Sequence, residues 1–71
     1  MNHNKITIEF NGLNETVEKG MTIHDLIVFF KEGDPDLIVE QNGKYIYPKK
    51  FREEIVSDGD TIEFINPNLG G

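Results

Sequence analysis

No cysteine occurs in the sequence. Disulfides, thiolate catalysis, iron–sulfur clusters and cysteine zinc sites are thereby excluded. Cationic residues are also scarce: 7 Lys and Arg stand against 13 Asp and Glu, for a net charge of −6. Phosphate contacts need clustered Lys and Arg, so nucleic acid is not expected as the main partner. The acidic residues are spread along the chain rather than gathered in a tail, which favours a soluble, self-repelling monomer. Lys44, Lys49, Lys50 and Arg52 form one local exception. They read as a solvated edge around a turn, or else as a docking spot for an acidic partner. Long apolar runs are missing too. The longest, Leu26 to Phe30, is far too short to cross a bilayer. Met1 to Lys5 lacks the apolar core of a signal peptide, so a cytoplasmic location is expected and the sequon Asn14-Glu15-Thr16 is taken as chance.

Metal and nucleotide motifs are equally sparse. His3 and His24 lie far apart with no partner pattern for metal ligation. Asp58-Gly59-Asp60 lacks the remaining ligands of a calcium loop and reads as a structural turn. No phosphate-binding Gly-Lys-Ser or Gly-Lys-Thr occurs, so any ATP is expected on a partner and no bound cofactor or metal on this chain. With 71 residues the chain should hold one domain. A domain of this size buries only about 60% of its unfolded surface, so its core must be thin. The apolar fraction of 37%, with five Phe, supplies such a core but leaves little room for an enclosed active site. A self-sufficient enzyme is therefore not expected.

The hydrophobic pattern gives a coarse architecture. Lys5 to Phe10 alternates, with Ile6, Ile8 and Phe10 on one face, as a half-buried strand does. Asn11-Gly12 is a strong hairpin signal, since both residues accept positive φ, and Leu13 to Val17 reads as the returning strand. Gly20 breaks the pattern. Thr22 can cap a helix, with Asp25 three residues on as a relative of the capping box. Ile23, Leu26, Ile27 and Phe30 make one helical face and read as core, which leaves Val28 and Phe29 off the stripe. Gly33 suits a C-terminal cap and Pro35 prevents continuation, which predicts a helix of about three turns. Leu37 to Gln41 is β-prone, Asn42-Gly43 is a second turn, and Lys44 to Tyr47 is a short strand that Pro48 marks as an edge or ends. In Phe51 to Val56, Phe51 and Ile55 are candidate anchors of a short helical turn. Thr61 to Ile65 is a last strand with Ile62 and Phe64 on one face and Ile65 on the other. The order is ββαβββ, with the helix covering one face of the sheet. The order does not by itself force a pairing; the arrangement expected would set the first and last strands as parallel neighbours in the middle. The domain is expected over residues 1–65 and a flexible tail over residues 66–71.

That tail carries the chemistry. Glycine makes up about 7% of average sequence, so two closing glycines arise by chance in about 0.5% of chains. Gly70 and Gly71 have no side chains, so the backbone can thread a narrow channel. Pro67 stiffens the base of the tail. The six residues beyond Ile65 reach at most about 20 Å when extended. Such an arm can deliver one carboxylate into another protein's active site. The α-carboxyl titrates near about 3.5 and is ionised at neutral pH, so it can attack the α-phosphorus of ATP. Metal and cationic groups of an activating enzyme would stabilise the charge. A sulfur nucleophile then displaces AMP to leave a thiocarboxylate on Gly71; a lysine amine leaves an isopeptide bond instead. Leu69 and Gly70 are the threading residues, and Ile65, Pro67 and Leu69, beside the reactive end, are the expected partner contacts.

The opening hairpin, Gly20-Met21-Thr22-Ile23, Val39-Glu40-Gln41-Asn42-Gly43 and Val56-Ser57-Asp58-Gly59-Asp60-Thr61-Ile62-Glu63-Phe64 before Gly70-Gly71 together resemble the ThiS-like sulfur carriers. These are relatives of the molybdopterin-synthase small subunit (the ThiS/MoaD family). The resemblance covers essentially the whole chain. It implies an α+β ubiquitin-like β-grasp, a mixed sheet of four to five strands covered on one face by one helix. It also implies adenylation of Gly71 by a ThiF- or MoeB-like adenylyltransferase, conversion to a thiocarboxylate, and transfer of sulfur to a thiazole synthase in thiamine biosynthesis. The family usually has a small residue where Leu69 stands, and Pro67 is more like the molybdopterin branch. Tyr47 looks like an insertion before Pro48, and Lys49-Lys50-Phe51 stands where Arg and an aromatic are common. These departures leave the pathway open, so a carrier for molybdenum or tungsten cofactor or for amino-acid biosynthesis is an alternative; a ubiquitin-like modifier conjugated through Gly71 and a passive β-grasp interaction or RNA-binding module, the latter disfavoured by the acidic balance, are the others.

Overall fold

The computed structural model describes residues 3–68. Five strands and one α-helix follow in the order β1 (Lys5–Phe10), β2 (Leu13–Glu18), α1 (Ile23–Phe29), β3 (Ile38–Gln41), β4 (Lys44–Ile46) and β5 (Thr61–Ile65), with a short 3-10 helix over Pro48–Lys50. The sheet order is β2-β1-β5-β3-β4. Both hairpins close on Asn-Gly pairs in the left-handed region, Asn11 and Gly12 at φ 48° and 86°, Asn42 and Gly43 at φ 55° and 79°. Positive φ at both central residues matches the right-handed twist of the flanking strands. The last strand enters between the hairpins. It runs parallel to β1, with Glu9 opposite Thr61 and Phe10 opposite Ile62, and antiparallel to β3, with Ile38 opposite Ile65 and Val39 opposite Phe64.

The alternation in β1 and β5 sends Ile6, Ile8, Ile62 and Phe64 to one face, where Val17, Val39, Ile23 and Leu26 meet them. Ile23 and Leu26 are fully buried, so α1 lies on this face. The helix starts in a full capping box. Thr22 Oγ1 accepts from the Asp25 N–H at 3.1 Å, and the Thr22 N–H donates to Asp25 Oδ2 at 2.9 Å. That bond, with the Thr22 hydroxyl, holds the Asp25 carboxyl below its ordinary value.

Two details differ from the sequence-based expectation. The helix has seven residues, about two turns rather than three. It closes at Phe30, where the Lys31 N–H reaches the Val28 carbonyl at 3.0 Å and the Glu32 N–H reaches the Ile27 carbonyl at 2.9 Å. This is a Schellman closure, and the left-handed residue it requires is Lys31 at φ 57°, not Gly33. In the second case, Ile55 does not anchor a helical turn. Its backbone bridges Thr22 in antiparallel fashion, so neighbouring residues alternate sides; Val56 is buried and Ile55 is half exposed. Phe51 does pack against the core.

The Asp58-Gly59-Asp60 turn ties three segments together. Asp58 Oδ1 accepts from the Thr7 N–H at 2.9 Å, and Asp60 accepts from Ser57 N–H at 2.8 Å, Gln41 Nε2 at 2.9 Å and Asn42 Nδ2 at 3.0 Å. Burial pushes the Asp60 carboxyl up, but the bonds from Asn42, Ser57 and Gln41 outweigh it and hold it below its usual value.

Leu26→Ala should cost about 3 kcal/mol in urea unfolding, through lost burial and a residual cavity. Thr22→Ala should cost about 1 kcal/mol through loss of the cap. Asp25 and Asp60 both have depressed folded-state values. Their stabilisation is therefore complete above the unfolded-state value near about 4 and is lost as pH falls through the lower folded value. An Asp60→Ala variant should show a shallower acid decline of Tm than the wild type.

Candidate functional site

The contacts of Phe64, Asn66 and Asn68 lie at the end of the sheet where β5 stops. β5 extends past its pairing with β1, and the turn after β1 completes the support. The Asn11 N–H donates to the Ile62 carbonyl at 2.9 Å, and Asn11 Oδ1 accepts from the Phe64 N–H at 2.8 Å. The asparagine side chain thus supplies the acceptor that a longer β1 would have provided. Below it, Phe10 stacks on Phe30 with ring centroids 4.0 Å apart and planes 8° from parallel, and Phe64 meets Phe10 edge-on at 4.8 Å. Phe29 meets Phe30 edge-on at 4.9 Å. Edge-on and stacked aromatic pairs of this kind add to the burial term and fix relative orientation. The helix end, β1 and β5 are locked together where β5 leaves the sheet.

Ile65 points to the face opposite the core, is 38% exposed, and sits across from Ile38. Next along this outer face, Glu40 stands directly opposite Glu63, and Tyr45 opposite Glu40. Like charges directly across a ladder are unfavourable, and neither glutamate has an ion pair among the described residues. The surface at the root of the tail therefore presents an apolar pair next to uncompensated negative charge. Pro67 is exposed beyond it.

Asn66 and Asn68 lie against the loop between α1 and β3. Asn66 Nδ2 donates to Asp34 Oδ2 at 3.0 Å and Asn68 Nδ2 to Asp36 Oδ2 at 2.8 Å. The Asp34 carboxyl is held below its usual value by the Asn66 side chain and by the Asp36 N–H.

The structure thus brings Ile65 and Pro67 together at one exposed corner. Leu69, Gly70 and Gly71, the threading and attachment residues expected from sequence, lie outside the described residues. Four contributors went unread in the sequence: Asn11 as a ladder extension, Ile38 as the partner of Ile65, and Asp34 and Asp36 as contacts of the tail. The last pair had a signal, since Asp34-Pro35-Asp36 and Asn66-Pro67-Asn68 share one spacing, acceptors in one and donors in the other. Among the described residues no polar side chain is buried, no three His, Asp or Glu gather to hold a metal ion, and no helix is long and apolar enough to cross a membrane.

The sequence model of the ThiS family matches residues 3–71. The chain belongs to the ThiS family. The crystal structure of the thiamine biosynthesis protein (ThiS) from Geobacter metallireducens is similar at a TM-score of 0.82 and 28% identity, covering 93% of this chain and 100% of that one. No curated protein matches the sequence. The ThiS likeness establishes the ubiquitin-like β-grasp, with its five-stranded mixed sheet and single helix. ThiS-family membership supports the role of a small sulfur carrier rather than a catalyst.

Asn11→Ala should remove the acceptor for the Phe64 N–H and place alanine at a positive φ. A loss of about 1–2 kcal/mol is expected. Hydrogen exchange should accelerate most at the Phe64 amide, at the root of the tail.

Proposed function

We propose that the Gly71 carboxylate is the working group of this chain and carries sulfur as a thiocarboxylate for the thiazole of thiamine. The observation that carries this reading is the family match running through residue 71, which includes the terminal glycines. The thiamine assignment is taken from the similar Geobacter protein, which is named for that pathway.

A free carboxylate is a poor acyl donor. Attack of its oxygen on the α-phosphorus of ATP expels pyrophosphate and forms an acyl-adenylate. A sulfur nucleophile then displaces AMP and leaves the terminal carbonyl bearing sulfur. Both steps develop charge that needs cations and positioned donors in a dry site. Among the described residues no polar side chain is buried to build one. A ThiF-like adenylyltransferase supplies that site and the ATP, and a thiazole synthase accepts the sulfur. Because the reaction consumes ATP, we place it in the cytoplasm. The body through residue 65 acts as the handle, and residues 66–71 as the arm.

The handle is recognised at the corner from which the arm leaves. Ile65, Ile38 and Pro67 offer apolar contact, and Leu69 continues it along the arm. Glu40 and Glu63 favour a cationic surface on the partner. The net charge of −6 keeps free copies apart and steers them toward such a surface.

Incubation with a ThiF-type enzyme, ATP and a sulfur donor should change the intact mass by one oxygen-to-sulfur exchange at the C-terminus. Adducts trapped on lysines would instead mark a protein modifier, and an unchanged mass would refute activation altogether. Deleting Gly71 should abolish activation and leave Tm unaltered. Ile65→Lys should raise the KM for activation about tenfold, with stability changed by less than about 0.5 kcal/mol because the side chain is on the solvent face.

A further inference from the structure

The hydrogen bonds of Asn66 and Asn68 divide the arm in two. Asp34 is a prepared acceptor. Its Oδ1 accepts from the Asp36 N–H at 2.8 Å, its own N–H donates to Glu32 Oε1 at 3.0 Å, and its carbonyl accepts from the Leu37 N–H at 3.3 Å. The loop therefore orients the carboxylate through one oxygen and leaves Oδ2 for Asn66. Asp36, two residues on, receives Asn68, two residues beyond Asn66. Each segment has a proline between its two polar residues, and a fixed φ narrows the conformers in which both pairs can form. One exposed hydrogen bond holds a chain weakly; two in register, on stiffened segments, define a direction.

We propose that Asp34 and Asp36 are positioning residues that clamp the root of the carrier arm through Asn66 and Asn68, so that the terminal carboxylate is presented from residue 69 onward. This rests on the reading of Gly71 as the acyl donor. An arm starting after Ile65 spans at most about 20 Å, whereas the three residues after Asn68 span at most about 10 Å. The activating enzyme must accordingly bring its catalytic centre close to the loop between α1 and β3. Fewer backbone dihedrals remain to be ordered when the arm is inserted, and preorganisation of this kind strengthens binding. The clamp acts on productive binding of the carrier, not on the chemical step.

The experiment pairs ¹⁵N relaxation of the full chain with kinetics of activation by a ThiF-type enzyme. The Asn66 and Asn68 amides should have order parameters near those of the sheet in the wild type. In Asp34→Ala/Asp36→Ala they should fall below about 0.6. The same double variant should raise the KM for the carrier about fivefold and leave kcat within about twofold. Asp34→Asn/Asp36→Asn should restore both, since the amide at 34 keeps an oxygen for the Asp36 N–H and offers an N–H to Asn66, and the amide at 36 keeps an oxygen for Asn68. Asn66→Ala/Asn68→Ala removes the clamp from the arm side and serves as the second test, with the body untouched. Order parameters already low in the wild type, or unmoved in both alanine variants, would overturn the proposal, as would an unchanged KM. If the wild type is not adenylated at all, the Gly71 reading fails, and the relaxation data still decide the clamp.

Discussion

The parallel pairing of β1 with β5 is the constraint on which the rest depends. It joins residues about fifty positions apart, and loop closure over that distance must be offset by dense bonding where the strands meet. The bonding is dense. Thr7, Glu9 and Asn11 each contribute backbone groups to the β5 side, and the side chains of Asp58 and Asn11 add one bond at each end. With β5 wedged between β1 and β3, residues 66–68 follow a strand in the middle of the sheet. They leave a strand paired on both sides rather than a fraying edge.

The platform is built for presentation rather than for enclosure. One thin core, made by one face of the sheet and a two-turn helix, uses nearly all the buried apolar residues. The polar groups that matter stay at turns, where they join segments: Thr22 with Asp25 at the start of the helix, Asp60 with Gln41, Asn42 and Ser57, and Asn11 with Phe64. A fold of this kind suits the small sulfur carrier that membership of the ThiS family supports. The outer face, with Ile38 and Ile65 beside the opposed Glu40 and Glu63, tolerates an unfavourable charge pair that the fold does not need. Such a pair is relieved when a cationic surface covers it.

The aromatic cluster connects this platform to the arm. Phe30 takes its place on Phe10 just where the helix terminates, and the loop that follows carries Asp34 and Asp36 to the tail. A change in where α1 stops would therefore move the loop as well as the stack. In this small domain helix length, core packing and the placement of Asn66 and Asn68 are one problem.

Local order determined much of this chain. Period-two alternation marked β1 and β5 to the residue because one face of each is buried and the other wet, and both Asn-Gly pairs turned where positive φ is cheapest. The paired terminal glycines and the motif before them were readable as covalent sequence, without any fold. Contacts distant in the chain had to decide the remainder. The helix ended at Phe30 because its carbonyls closed on Lys31 and Glu32 while the ring stacked on Phe10. Ile55 turned outward because its backbone found Thr22. Asn66 and Asn68 met Asp34 and Asp36 across 32 positions. Periodicity reports which way a residue faces along its own segment, whereas the partner it meets is chosen by how the segments pack.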